Sequence, residues 1–121
     1  MDKVNHAILV IEDDTATLAF ISAALEDDGY EVFQAANTQH GLHVARDVLP
    51  ALILLDLHLP GGSGLDFISA YRATSGPHAT LVLMTASSST ELQRFQGMVA
   101  GVLSKPFELD DLLEIAQRHC R

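Results

Sequence analysis

One carboxylate, Asp56, stands at the end of an unbroken apolar run. Residues 51–55 (Ala-Leu-Ile-Leu-Leu) precede it, and the turn-forming residues Pro60, Gly61 and Gly62 come shortly after. A short apolar run closed by turn residues is typical of a strand covered on both faces. The carboxylate therefore lies where the strand leaves the core, which is where open parallel sheets place their chemistry.

Three other apolar runs end in the same manner, each at a residue that could take part in chemistry. Residues 7–11 run into Glu12 and Asp13, residues 80–84 run into Thr85, and residues 98–103 run towards Lys105. Right-handed crossovers place the carboxyl ends of parallel strands on one edge of the sheet. We therefore expect these side chains to converge with Asp56 on one crevice.

Such a cluster of acids predicts a bound cation and phosphoryl chemistry. Two like charges at about 4 Å cost on the order of 1–4 kcal/mol, depending on the local dielectric. An all-oxygen site of this kind fits Mg²⁺ better than zinc. Lys105 and Thr85 could then neutralise and hydrogen-bond a phosphoryl group, and Asp56 as nucleophile would yield an aspartyl phosphate.

Strands and helices alternate along the whole chain. The strands are predicted over residues 7–11, 30–35, 51–56, 80–84 and 98–103, the second of them nearer an edge of the sheet because its pattern alternates. Strict alternation with apolar strands indicates a parallel sheet with helices on both faces. We expect a single doubly wound α/β domain over residues 1–121.

Five helices should lie between and after these strands. The first carries Leu18, Ile21 and Leu25 on one stripe, ends at Asp28-Gly29, and could be capped by Asp14 or Thr15. The second is expected to be capped by Thr38 and to end at Pro50; its apolar face comprises Leu42, Ala45, Val48 and Leu49. A third starts at Ser63 and Asp66 and reaches about Tyr71, and residues 88–96 form a fourth, weakly helical segment. The last helix turns Leu109, Leu112, Leu113 and Ala116 inward.

Composition limits the classes of function. Sixteen acids against seven Lys and Arg give a net charge of −9, which argues against direct binding of nucleic acid or anionic membrane. No apolar stretch approaches the ~20 residues that span a bilayer, and no signal segment is recognisable. The one cysteine, Cys120, allows no internal disulfide. These features predict a cytoplasmic protein that does not insert into membranes.

The residues at the strand ends also carry a family resemblance. The chain resembles, over residues 7 to 119, the receiver domains of two-component response regulators. The matching motifs are Ile8 to Asp14 (Ile-Leu-Val-Ile-Glu-Asp-Asp), Leu54 to Gly64 around Asp56, Met84-Thr85-Ala86, and Lys105-Pro106-Phe107. Each motif alone is weak, whereas four of them in this order at the expected strand ends are highly specific.

The resemblance implies a flavodoxin-like (βα)5 fold with strand order 2-1-3-4-5, an order illustrated by a member of this family. It also implies that Asp56 accepts a phosphoryl group from a histidine kinase or histidine phosphotransfer protein, with Thr85 and Lys105 contacting that group. Mg²⁺ would be held by Asp13, Asp56 and the backbone carbonyl of His58, and by Glu12 mostly through water. The Lys105-Pro106 bond is expected to be cis.

The resemblance further implies a protein that is not an enzyme, apart from slow autodephosphorylation. Its phosphorylation would alter binding to a downstream protein that the sequence does not identify, and the sequence leaves a homodimer open.

The chain departs from the family pattern at two places. Val102 stands where the family usually has an aromatic residue, three positions before the lysine, and the stretch from Thr85 to Lys105 is a couple of residues short. The helix in that stretch is therefore expected to be short or irregular, and no output element can be named.

Two other functions stay open. A phosphatase of the haloacid-dehalogenase type also uses an aspartate nucleophile and Mg²⁺, but it needs a second aspartate two residues on, where this chain has His58. A degenerate receiver that serves only as a binding module is the other alternative. The imidazole of His58 is expected at the rim of the crevice rather than on the metal.

Overall fold

The computed structural model of the protein describes residues 5–59, 64–86 and 92–120. Five strands are present: β1 (Ala7–Ile11), β2 (Glu31–Ala35), β3 (Leu52–Asp56), β4 (Thr80–Thr85) and β5 (Gly101–Ser104). The described residues also contain four bounded α-helices: α1 (Thr15–Asp27), α2 (Thr38–Val48), α3 (Gly64–Arg72) and α4 (Leu109–His119). A 3-10 turn, Gln93–Phe95, lies between β4 and β5.

The strands form one parallel sheet in the order β2-β1-β3-β4-β5, as predicted. β1, β3 and β4 are flanked on both sides, and all five residues of β1 and of β3 are buried. β2 lies at an edge, which agrees with its alternating sequence. The register pairs Ile11 with Leu55 and Asp56 with Met84, so the carboxyl ends of the central strands are level.

Alternate side chains of each central strand enter the two halves of the core. Leu9, Ile11, Ile53 and Leu55 point to one face, where Ala45 of α2 and Phe67 of α3 cover them. Ile8, Val10, Leu52 and Leu54 point to the other face, against Ile21 of α1 and Leu112 of α4. This two-layer burial is the reason why the central strands are apolar at every position rather than at every second one.

The segment between β4 and β5 is described only in part, so the predicted helix over residues 88–96 stays a prediction. Residues 87–91 lie outside the described part of the chain, and the described part begins again at Leu92, which is helical and leads directly into the 3-10 turn. The turn is closed by Gln96 N–H to Gln93 O at 3.2 Å and Met98 N–H to Phe95 O at 2.9 Å. The Met98 N–H is bonded to the turn and not to a neighbouring strand. β5 therefore begins at Gly101, and not at Met98 as predicted.

Three further predictions about helix ends were wrong. α2 is capped by Asn37, whose Oδ1 accepts the His40 N–H at 2.8 Å, and Thr38 is already helical. Leu49 is the C-cap of α2 in a left-handed conformation, φ 53°, and is 49% exposed instead of facing the core. Leu109, in the first turn of α4, is 45% exposed. The predicted cap at Ser63 lies outside the described residues.

The predictions for the two ends of α1 were correct. Asp14 caps α1 by accepting the Thr17 N–H at 2.9 Å, and the chain leaves α1 through Asp28 and Gly29 at φ 96°. Among the described residues, no helix combines the length and the apolar character that a membrane crossing requires.

Candidate functional site

Asp56 is the last residue of β3, and its side chain is held by the backbone just beyond it. The residue is 6% exposed. The His58 N–H donates to Asp56 Oδ1 at 3.1 Å, and the Leu57 N–H donates to Met84 O at 3.1 Å. The backbone therefore leaves the strand while still anchored to β4, which leaves the carboxylate at the carboxyl edge of the sheet.

Glu12 lies next to Asp56 at the end of the neighbouring strand β1 and is fully buried. Its Oε2 accepts the N–H groups of Asp13 at 3.0 Å and Asp14 at 3.3 Å, and its own N–H donates to Ala35 O at 3.0 Å. These bonds turn the chain sharply after β1, and they leave the exposed carboxylate of Asp13 beside the crevice.

Lys105 reaches the same point from the end of β5. Its Nζ lies 2.6 Å from Glu12 Oε1 and 3.5 Å from Asp56 Oδ2. The Lys105 N–H donates to Thr85 O at 2.9 Å, which joins β5 to the end of β4. The Lys105-Pro106 bond is cis, as the resemblance implies.

Burial sets the protonation of this group of side chains. It raises the pKa of Glu12 to about 7, with a further rise from Asp56 and a partial offset from Lys105 and the backbone of Asp14. Burial alone would lower the pKa of Lys105, but the carboxylates of Glu12 and Asp56 outweigh it and raise that pKa. The ammonium is therefore charged at neutral pH, and it compensates only part of the negative charge around it.

The remaining predicted residues lie at the same edge. Thr85 ends β4, one residue beyond the partner of Asp56, and is 2% exposed. His58 is exposed, in agreement with a position at the rim. Asp14 accepts hydrogen bonds from both the N–H and the Oγ1 of Thr17, so its carboxylate is used to cap α1.

The donor set fits a hard divalent cation. One carboxylate oxygen from each of Glu12, Asp13 and Asp56 can be chosen so that all lie within 4.8 Å of one another. Three carboxylates without a cysteine or histidine side chain are the ligands that Mg²⁺ prefers and zinc does not. The convergence of acids expected from the sequence is therefore present in the fold.

Sequence reasoning missed the closest pair in the site. It assigned Lys105 to phosphoryl oxygens, whereas in the structure the ammonium is nearer to Glu12 than to Asp56 by 0.9 Å, the difference between 3.5 and 2.6 Å. No spacing in the sequence could have found this pair, because the two residues are 93 positions apart. Only the adjacency of the strand ends brings them together.

The comparisons with known proteins agree with this geometry. The family model for the response regulator receiver domain matches residues 8–117. The chain is 40% identical over 108 residues to the KDP operon transcriptional regulatory protein KdpE of Escherichia coli, with 87% of this chain and 47% of that protein covered. The chain spans about half the length of the curated relatives that it matches first.

Solved structures show the same fold. A chemotaxis response regulator of Vibrio cholerae superposes with a TM-score of 0.87 at 28% identity, covering 94% of this chain and 98% of that one. A receiver domain from Bermanella marisrubri gives a TM-score of 0.89 at 28% identity, covering 97% and 99%. The acid cluster, the lysine directly after β5 and the 2-1-3-4-5 sheet thus have a common explanation: the chain belongs to the family of response regulator receiver domains, the phosphoacceptor domains of two-component signal transduction.

Proposed function

We propose that residues 1–121 form one receiver domain, and that Asp56 is its phosphoacceptor, taking a phosphoryl group from a phosphohistidine on a histidine kinase or a histidine phosphotransfer protein. The observation that carries the proposal is the position of Asp56, with two carboxylates and an ammonium around its side chain. Transfer of a phosphoryl group needs positioning and charge compensation more than covalent chemistry from the protein.

In this proposal each residue has one task. A carboxylate oxygen of Asp56 attacks the phosphorus, the new P–O bond forms, and the P–N bond to the donor imidazole breaks, leaving an aspartyl phosphate. Lys105 leaves Glu12 to neutralise one phosphoryl oxygen, and the Thr85 hydroxyl donates to another. This movement of the ammonium is small, because Lys105 Nζ lies 2.6 Å from Glu12 Oε1 and already lies 3.5 Å from Asp56 Oδ2.

The same edge would hold Mg²⁺. Asp13, Asp56 and the backbone carbonyl of His58 would bind it directly, and Glu12 mostly through water. When bound, Mg²⁺ supplies positive charge that compensates the phosphoryl oxygens beside Asp56.

A pocket of about 470 Å³ adjoins the site beside Lys105 and Ala86. Its lining consists of Ala16, Thr17 and Phe20 of α1, of Ala86, and of Lys105, Pro106 and Phe107. Such a mainly apolar lining suits the surface of a donor protein more than a free polar metabolite. The donor imidazole would then enter the crevice beside Ala86.

The wider role follows from this chemistry. The domain acts as a phosphoacceptor that loses its phosphoryl group slowly by hydrolysis, in the cytoplasm where its donor is found. Phosphorylation alters its affinity for a downstream protein or for a second copy of the domain. The domain itself, with its net charge of −9, does not contact nucleic acid or insert into a membrane.

Intact-mass analysis tests the proposal. Incubation with Mg²⁺ and acetyl phosphate should add one phosphoryl group to the protein, and Asp56→Asn should abolish the gain. Asp14→Asn is the matched control, because it neutralises a neighbouring acid that caps α1 and should leave the gain intact. Sustained hydrolysis of varied phosphate esters would instead indicate a phosphatase. No adduct with acetyl phosphate or a kinase would indicate a binding module.

Calorimetric titration tests the metal ligands separately. Asp13→Asn should weaken Mg²⁺ binding by roughly tenfold or more, since it removes one charged ligand from the cluster. An unchanged affinity would contradict the role of Asp13.

A further inference from the structure

A cavity of about 620 Å³ lies at the amino end of β4, at the opposite edge of the sheet from Asp56. This volume falls within the range of small-molecule sites. Thr80, the first residue of β4, lines the cavity, whereas Asp56 pairs with Met84 near the other end of that strand. At ~3.3 Å per residue, the length of strand from Thr80 to Met84 is roughly 13 Å. The cavity is therefore separate from the phosphoacceptor site.

Three segments line this cavity, which we call the amino-edge pocket: residues 71–72 at the end of α3, residues 78–81 leading into β4, and residues 97–100 before β5. Among the lining residues that the structure describes, none is an aspartate or a glutamate. With histidine counted as neutral, Arg72 supplies the one formal charge of that lining, in a chain whose net charge is −9. The lining is thus opposite in sign to the whole chain, and it suits a ligand with an anionic group.

The Arg72 guanidinium is oriented before any ligand binds. It donates to Met98 O at 2.7 Å, and this bond ties the end of α3 to the segment before β5. Met98 O needs one of the five N–H groups that a guanidinium presents in a planar fork. The other N–H groups are of the kind that pairs side by side with the two oxygens of a carboxylate. Since the fork is already held, a ligand has little side-chain freedom of Arg72 to freeze.

Two aromatic rings hold the wall of the pocket between α3 and β4. His78 Nε2 lies 2.9 Å from Thr74 O, which can only accept, so Nε2 carries a proton and donates it. The rings of His78 and Tyr71 meet edge to face with their centroids 4.9 Å apart, and the Tyr71 hydroxyl accepts the Ala79 N–H at 2.6 Å. These contacts shape the cavity without a ligand, as is usual for small-molecule sites.

The pocket also offers apolar surface. Leu81 is 5% exposed, whereas Met98 and Val99 are half-buried and pack against the core with only part of their side chains. The remaining apolar surface of these two residues can be covered by a ligand in the pocket, and its removal from water favours binding. A ligand with an anionic end and an apolar body would therefore use both parts of the lining.

We propose that the amino-edge pocket binds a small organic acid, whose carboxylate pairs with the Arg72 guanidinium and whose apolar body covers Met98 and Val99. An inorganic anion would leave the apolar surface in water, and a neutral compound would leave the guanidinium without a counter-charge. The proposal gives the domain a second binding site, beyond its phosphoacceptor role, and does not depend on phosphorylation of Asp56.

Titration with benzoate, followed by backbone amide shifts in NMR, tests the site. We expect saturable shifts at the amides of residues 72, 78–81 and 97–100, with a Kd on the order of 1–10 mM for so small a probe. Hexanoate, an acid with a flexible apolar body, is the second probe. Benzamide has the shape of benzoate without its charge and should bind about fivefold more weakly or worse. Inorganic phosphate should shift these amides little, and sodium chloride keeps the ionic strength equal throughout.

Arg72→Gln should weaken benzoate binding about fivefold or more, because the charged fork is lost. Arg94→Gln is the matched control and should bind benzoate as the wild type does, because this exposed arginine is not among the described lining residues. Ala100→Glu is the second variant, in case Arg72→Gln folds poorly. It adds a carboxylate at an exposed position of the lining and should weaken binding by a similar factor. Asp56→Asn should leave benzoate binding unchanged.

Three results would each overturn the inference: no saturable shift at these amides with either acid up to about tenfold above the expected Kd, equal affinities for benzoate and benzamide, or equal losses of affinity in Arg72→Gln and Arg94→Gln. Wild-type affinity in Ala100→Glu would contradict the location of the site. None of these results bears on the phosphorylation of Asp56, which intact-mass analysis tests by itself.

Discussion

Glu12 has no exposed surface, and its closest charged partner is an ammonium that comes from the other end of the chain. Removal of one member of such a buried pair is costly, because the other is left uncompensated. Here the cluster contains more acid than base, so without metal the Lys105 ammonium compensates charge that would otherwise be left unpaired.

We therefore predict that Lys105→Met lowers the free energy of unfolding by about 2 kcal/mol in chelator, as expected for the loss of one partner of a partly buried pair. Added Mg²⁺ should stabilise this variant more than it stabilises the wild type, since no ammonium then competes for Glu12. Urea unfolding with and without Mg²⁺ measures both effects.

Lys105→Arg is the matched control for this pair and should retain most of the stability. An equal Mg²⁺ increment in Lys105→Met and wild type would show that the ammonium does not compete with the cation.

At the scale of the elements, α2 packs on β1 through a glycine. A Cβ on Gly41 would lie 2.5 Å from Ile11 Cδ1 and 3.0 Å from its Cγ1, and Ile11 is fully buried. Since Ile11 directly precedes Glu12, this contact also places the site. Helix propensity alone would favour alanine by about 1 kcal/mol.

We predict that Gly41→Ala nevertheless destabilises the protein by about 1–3 kcal/mol, the usual cost of overpacking. Ile11→Val lacks Cδ1 and should recover part of this loss in the double variant. Denaturant unfolding of the two single variants and the double variant gives the coupling. Additive effects would mean that the two side chains do not collide.

The start of α2 gives a second prediction at this scale. Asn37→Ala should cost about 1 kcal/mol, because it removes the acceptor of the His40 N–H, whereas Thr38→Ala should cost much less. Thermal unfolding of the two variants under the same buffer conditions ranks them. A larger loss of stability in Thr38→Ala than in Asn37→Ala would show that Thr38 is the cap.

At the scale of the whole molecule, the buried acid makes folding depend on pH. In the absence of metal, Glu12 titrates near 4.5 when unfolded and at about 7 when folded. Folding therefore takes up a proton between these values, and stability falls as the pH rises through that window.

We predict a loss on the order of 2–3 kcal/mol between pH 4.5 and 7.5 in chelator, from the size of this pKa difference. Glu12→Gln should flatten the dependence, and the difference between the two curves, measured by urea unfolding, isolates this residue. If the free energy of unfolding fell equally steeply with pH in the wild type and in Glu12→Gln, Glu12 would already be ionised in the folded protein below pH 5.

Much of the fold could be predicted from the sequence. A strand that is buried on both faces of the sheet is apolar at every position, so it is visible in the sequence as a continuous apolar run. The runs at residues 7–11, 51–55 and 80–84 predicted three central strands, and alternation with helical patterns predicted that these strands are parallel. The ends of these runs also located Glu12, Asp13, Asp56 and Thr85 at one edge, before any contact was known.

Helix ends were harder, since a cap depends on single backbone torsions. Asn37 and Thr38 are both good capping residues, and only the extended φ and ψ of Asn37 (−151° and 169°) decide between them. Leu109 has helical spacing with Leu112 and Leu113, yet the packing of α4 leaves it at the surface.

The sequence by itself thus determined the class of fold and the set of residues at the carboxyl edge, because both follow from local burial and strand direction. Tertiary structure alone decided which of these side chains touch: Lys105 with Glu12, and Leu57 and Phe95 around Gly64. These contacts join residues far apart in the chain, over distances of a few ångströms that depend on register and packing rather than on residue type.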